Sequence, residues 1–172
     1  MGRTETAWPL VPMPFAGEAL GGWFGRIAAR YRMNVDELAR AGGLNFDFSD
    51  DCCDWLAIPR LTLADRSRLA FLTGVHEEVL PEPYTGPGTR VTKSRFSFCE
   101  KCLWLNPLDV TTPFWKAEWA DAVEERCPIH RTEFDYIIGQ ELSKCKNMRR
   151  LLTCIEKRSR KKRRVERFPW LR

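Results

Sequence analysis

Two cysteine-containing pairs constrain this chain more than any other feature: Cys99 with Cys102, and Cys127 with His130, 24 residues apart. A two-residue gap lets a tight knuckle turn aim both side chains at one ion, and two such turns complete a tetrahedron. Thiolate and imidazole donors favour zinc over calcium or magnesium, which take oxygen donors. Four protein donors leave no position open for water or substrate, so the pattern predicts one structural Zn2+ per chain, not a catalytic ion. At 172 residues the chain can form one domain or two small lobes with thin cores, a size that metal support suits.

The surrounding landmarks have a recognisable order. Phe98 to Leu103, Phe114 to Trp119 and Cys127 to His130, together with Pro14 to Leu20, Trp23 and Arg26 near the N-terminus, resemble the TniQ family of transposition target-selection proteins. The stretch Leu69 to Val75, followed by Glu77 to Leu80, is similar to that family's leucine-rich helix and Thr-Gly break. The resemblance covers roughly residues 10–134. Ala19 stands where the family usually has serine, and Arg131 to Lys144 lacks the second cysteine pair that many members carry. The resemblance implies a protein that performs no chemical step. It would link whatever marks the target, a DNA site or an RNA-guided effector with its guide RNA, to an AAA+ ATPase regulator. The shortness of the chain after the second knuckle is similar to the compact members used with guide complexes, and a homodimer is compatible with this role.

Seven cysteines, an odd number with three of them in the paired motif, argue against a secreted disulfide framework. Ala7 to Ala16 is uncharged but broken by three prolines, so it reads as an extended arm and not a signal or membrane segment. A cytoplasmic protein with no membrane partner is the expectation.

The formal charge of +5 hides a split. Residues 144–172 hold 13 bases and two acids, whereas residues 1–143 are acidic overall. That asymmetry predicts a polyanion-binding tail, with Lys157, Arg158, Arg160, Lys161, Lys162, Arg163 and Arg164 as nucleic-acid contacts. Between Met33 and Ile58, by contrast, Arg40 is the single base against six acids. A recognition helix must approach a dense row of phosphates, so this region reads as a protein-docking surface. Trp8, Phe15, Gly17 and Glu18, in and beside the apolar arm, are the candidate partner contacts. The competing function is a zinc-containing helix-turn-helix regulator of transcription that reads duplex DNA.

Hydrophobic spacing predicts a mainly α chain. Leu20, Trp23, Phe24, Ile27 and Tyr31 line one helical face. Asn34 and Glu37 form a capping-box pair for a second helix that Gly42 and Gly43 stop. A third helix is expected near residues 50–56, and a fourth is capped by Thr62 and Asp65, feeds Leu63, Leu69, Ala70 and Phe71 to the core, and closes at Gly74. Arg95 to Phe98 alternates like a strand. Thr112 and Pro113 suit the start of a helix carrying Trp115 and Trp119, and Leu142, Cys145, Met148, Leu152 and Ile155 keep helical spacing up to the charge run. The expected organisation is an arm over 1–16, a helix-turn-helix-like lobe over 17–80, and a linker over 81–92. A small zinc-ribbon-like α+β lobe over 93–138 and an amphipathic helix with basic tail over 139–172 complete it.

Enzymatic readings find little support. The chain has two histidines, one of them inside the paired motif, no phosphate-binding glycine loop ending in Lys-Ser/Thr, and no His-x-Glu of a deaminase zinc site. His76 is left as a surface helix residue without a nucleophile partner.

Overall fold

The computed structural model describes residues 6–46, 55–58, 61–81, 95–105, 112–121 and 125–167. Among these residues it is mainly helical with one two-stranded sheet. Helix α1 spans Leu20–Arg30, α2 Val35–Ala41, α3 Leu63–Thr73, α4 Glu100–Trp104, α5 Gly139–Leu142 and α6 Met148–Arg167. Strands β1 (Arg95–Phe98) and β2 (Asp135–Ile138) pair antiparallel, with Arg95 opposite Ile138 and Phe98 opposite Asp135. Among the described residues no helix is long and apolar enough to cross a membrane.

Local signals start and stop the N-terminal helices. Glu37 accepts a hydrogen bond from the Asn34 backbone N–H at 2.9 Å, closing the capping box at α2. Thr62 Oγ1 accepts from Asp65 N at 3.0 Å to cap α3, and Gly74, at φ +66°, ends it in the left-handed conformation that glycine adopts without steric cost. The buried positions of α3 include Asp65, Leu69 and Leu72, whereas Leu63 and Phe71 point to solvent, contrary to the expected core set. The face at i, i+4 and i+7 from Asp65 is the one turned inward. Residues 47–54, which hold most of the expected third helix, lie outside the described residues, and Trp55–Ala57 is a single 3-10 turn. A helix-turn-helix is not established by these elements.

Three glycines let α1 sit at the centre of the core. A Cβ on Gly21 would collide with the carbonyls of Trp55 and Leu56, one on Gly25 with the Trp55 ring, and one on Gly22 would lie 2.8 Å from Trp115 Cβ. Backbone from both halves of the chain therefore closes on this helix. The resulting core is continuous from Ala19 to Ile155 and includes Trp23, Phe24, Trp55, Phe98, Trp115 and Leu151.

The expected helix from Thr112 does not form. Ala19 N donates to Trp115 O at 2.8 Å, Ala117 N donates to Gly17 O at 2.9 Å, and Lys116 bridges Glu18 in strand fashion. Those backbone groups are taken by the N-terminal segment, so Pro113 to Trp115 stays extended and only a 3-10 turn follows at Ala117–Asp121. Trp115 and Trp119 still meet in the core, edge to face at 5.2 Å. The long C-terminal helix is likewise shorter than its periodicity suggests. Asn147 accepts from Arg150 N at 3.1 Å while its amide donates to Met33 O at 2.9 Å. This N-cap separates α5 from α6 and ties the start of α6 to the turn after α1.

The arm is held by buried polar chemistry. Glu18, with its side chain fully buried, receives a two-pronged bond from Arg26 at 2.7 Å on each oxygen and a third bond from Phe15 N at 3.0 Å. Arg26 also donates to Met13 O at 2.9 Å and lies over the Phe15 ring. Burial pushes the Glu18 carboxyl above its ordinary value, with Arg26 and the Phe15 N–H pulling it back. A buried pair contributes little against an apolar replacement but is costly to break. Arg26→Met alone should therefore lower the unfolding free energy by about 3–5 kcal/mol, and Glu18→Leu/Arg26→Met should recover more than half of that loss. Urea denaturation of the two variants and wild type checks the cycle.

Candidate metal centre

The sheet assembles the four donors. β1 runs directly into Cys99, and Cys102 follows on the first turn of α4, where Leu103 N donates to Cys99 O at 3.0 Å. The second pair sits in a turn closed by Arg131 N to Cys127 O and Cys127 N to Thr132 O, both 2.8 Å. Arg131 takes the left-handed conformation, φ +55°, and β2 begins four residues later. Antiparallel pairing of β1 with β2 thus brings the two turns face to face.

Cys99, Cys102, Cys127 and His130 place one donor atom each within 4.8 Å of one another, the three cysteines buried and the histidine half-buried. Four of the six separations lie close to those of a tetrahedral site. Metal bonds of about 2.3 Å to sulfur and 2.0–2.1 Å to nitrogen place ligand atoms about 3.5–3.8 Å apart. The observed values are 3.6 Å for Cys102 Sγ to Cys127 Sγ, and 3.6, 3.2 and 3.8 Å from His130 Nδ1 to the sulfurs of Cys99, Cys102 and Cys127. This cluster can hold a metal ion. The sequence does not point to Thr132, whose hydroxyl lies 3.7 Å from Cys99 Sγ, or to the His130 N–H, 3.5 Å from Cys127 Sγ.

As free groups Cys102 and Cys127 are shifted in opposite directions. Burial, then the adjoining Cys127 and Cys99, push Cys102 up to about 12. Cys127 is also raised by burial, but the N–H of His130, its side chain and the Ile129 N–H outweigh this and hold it at about 7. Cation binding must therefore displace protons, and it weakens as the solution is acidified through the Cys127 range. Cys145 and Cys154 lie outside the cluster. Cys145 is buried, with Cys154 beside it, and burial first and Cys154 second push its thiol up to about 12, which makes it an inert group.

The other expected site residues are dispersed. Trp8 is half-buried, donates its backbone N–H to Leu72 O and packs 6.2 Å from Phe24 and 6.3 Å from Tyr31. Phe15 stacks on Phe114 at 4.9 Å, Gly17 is exposed, and Glu18 is interior. Lys157 to Arg164 all lie on α6.

The landmarks that surround this centre, from the arm through the second knuckle, are those that the TniQ family model matches over residues 9–134. The chain belongs to the TniQ family. No curated protein and no solved structure matches it. As a TniQ protein the chain has a transposition-associated role, and the matched span takes in both the Glu18–Arg26 pair and all four donors.

Elemental analysis should find one metal ion per chain, and Cys127→Ser should release it. Competition with a colorimetric chelator should show affinity falling as pH is lowered, and falling more steeply below about pH 7, where protons also compete for the Cys127 thiolate.

Proposed function

We infer that this TniQ protein is a non-catalytic transposition adaptor. It links a target-marking complex, a target DNA site or an RNA-guided effector, to an AAA+ ATPase regulator and so directs insertion. The observation that carries this reading is the family match over residues 9–134. The metal in the Cys99, Cys102, Cys127 and His130 cluster is proposed to be one Zn2+, because a donor set of three thiolates and an imidazole suits zinc best. Four protein donors leave such an ion no open position for substrate, which supports a scaffolding role over a catalytic one.

The arm is the proposed contact with the regulator. Leu10 and Met13 are more than half exposed, while their neighbours Trp8, Pro12 and Phe15 are anchored to the body. Trp8 and Glu18 are thus assigned to holding the arm in position, and Leu10, Met13 and Gly17 to its outward side.

Reconstituted pull-down with the AAA+ regulator tests the proposal. The chain should be captured when ATP and DNA are present and lost when ATP is omitted. Leu10→Asp/Met13→Asp should abolish capture without moving the melting temperature, whereas Trp8→Ala should lower the melting temperature. No capture of wild type under any nucleotide condition would overturn the adaptor reading.

A further inference from the structure

Helix α6 is 20 residues long, but its last buried position among the described side chains is Ile155. From there the helix leaves the core and continues unbroken through the charge run Lys157 to Arg164. The seven bases of that run are not equivalent. Arg158 reaches Asp135 at 3.7 Å and Glu141 at 3.6 Å and lies 5.9 Å from the Tyr136 ring, and Lys162, one turn on, reaches Asp135 at 3.6 Å. These two are turned toward β2 and α5, on the side of the metal-bearing half. Arg160 pairs with Glu156 within the helix at 2.6 Å.

On a face turned away from that contact stand Arg150, Lys157, Lys161 and Arg164, all exposed and none with an ion-pair partner among the described residues. At ~100° per residue they fall within about 60° of one another around the axis and extend over roughly 21 Å. The one acid between Arg150 and Arg164 is Glu156, which belongs to another face. Lys157, Lys161 and Arg164 are spaced four and three residues apart, an arrangement in which like charges repel and weaken a helix. A polyanion along this stripe relieves that repulsion.

We propose that this outward stripe of α6 is a backbone-binding track for duplex DNA, with Arg150, Lys157, Lys161 and Arg164 contacting phosphates, and that Arg158 and Lys162 belong to the fold and not to the track. Duplex DNA is favoured over single strands because the four charges keep a fixed spacing over roughly 21 Å of one helix, which suits the regular row of phosphates along a duplex. The stripe also carries no aromatic residue on which unpaired bases would stack. The proposal is independent of recruitment of an ATPase, so either can fail alone.

The test compares Lys157→Gln/Lys161→Gln with Arg158→Gln/Lys162→Gln, which remove the same net charge from interleaved positions of one helix. Binding of the full-length, metal-loaded protein to a labelled duplex of about 21 base pairs, two helical turns, is followed by anisotropy. At about 0.9 per phosphate contact, wild type should give a log–log salt slope near −3 to −4 between roughly 50 and 200 mM NaCl. The outward pair should flatten it by about 1.8, and the inward pair should leave it within about 0.5 of wild type while lowering the melting temperature. Should the inward double variant fold poorly, Lys161→Gln against Lys162→Gln asks the same question of adjacent residues. Equal flattening by both variants would reduce the stripe to diffuse net charge, and no flattening by either would assign it to solubility. Equal or tighter binding of a single strand, or tighter binding of an RNA duplex of the same length, would overturn the assignment to duplex DNA.

Discussion

The ion pair between Glu18 and Arg26 is the fixed point around which the N-terminal half is arranged. One carboxylate holds the guanidinium in two bonds and the Phe15 amide in a third, and the same guanidinium holds Met13. The arm, the start of α1 and the Lys116 segment all converge there, since Glu18 bridges Lys116 through its backbone while its side chain faces inward. Removing both charges from water is expensive, as the raised Glu18 carboxyl attests. What the pair supplies is a unique seat for a proline-rich segment that has few ladder bonds of its own.

The metal centre plays the corresponding part in the other half, and the two are not separate. Phe98, one residue before Cys99, packs against Trp115 at 5.4 Å, and Trp115 accepts the Ala19 amide one residue after Glu18. The donors and the root of the arm are thus joined through two consecutive contacts.

Features governed by near neighbours in the chain are legible in the amino-acid sequence alone. The two knuckles, the capping box of Asn34 and Glu37, the Thr62 cap and the Gly74 stop each involve residues a few positions apart, and each is present. Local signals mislead where a distant partner decides the outcome. The Thr112 signal for a helix is overridden by pairing with Gly17 and Ala19, and the run from Leu142 to Ile155 is divided because Asn147 binds Met33. Nothing local marks Gly21, Gly22 and Gly25 as contact points for Trp55, Leu56 and Trp115. Glu18 likewise stands out only as part of a motif, with no local sign that its carboxylate is buried. Charge composition identifies the basic run, but only the helix geometry separates Arg158 and Lys162 from their neighbours.

Two long-range bonds bear on how the chain reaches this state in a cell. The Trp55 indole donates to Cys145 O across 90 positions, and the Asn147 amide donates to Met33 O across 114. Helices α1 and α2 therefore leave the ribosome well before the residues that satisfy and cover them. At roughly 5–20 residues per second, synthesis of the intervening stretch takes on the order of 5–20 s. During that interval the apolar face of α1, glycine-lined and flanked by Trp23 and Phe24, has no cover from α6. A product that stopped short of Met148, Leu151 and Ile155 could not close its own core.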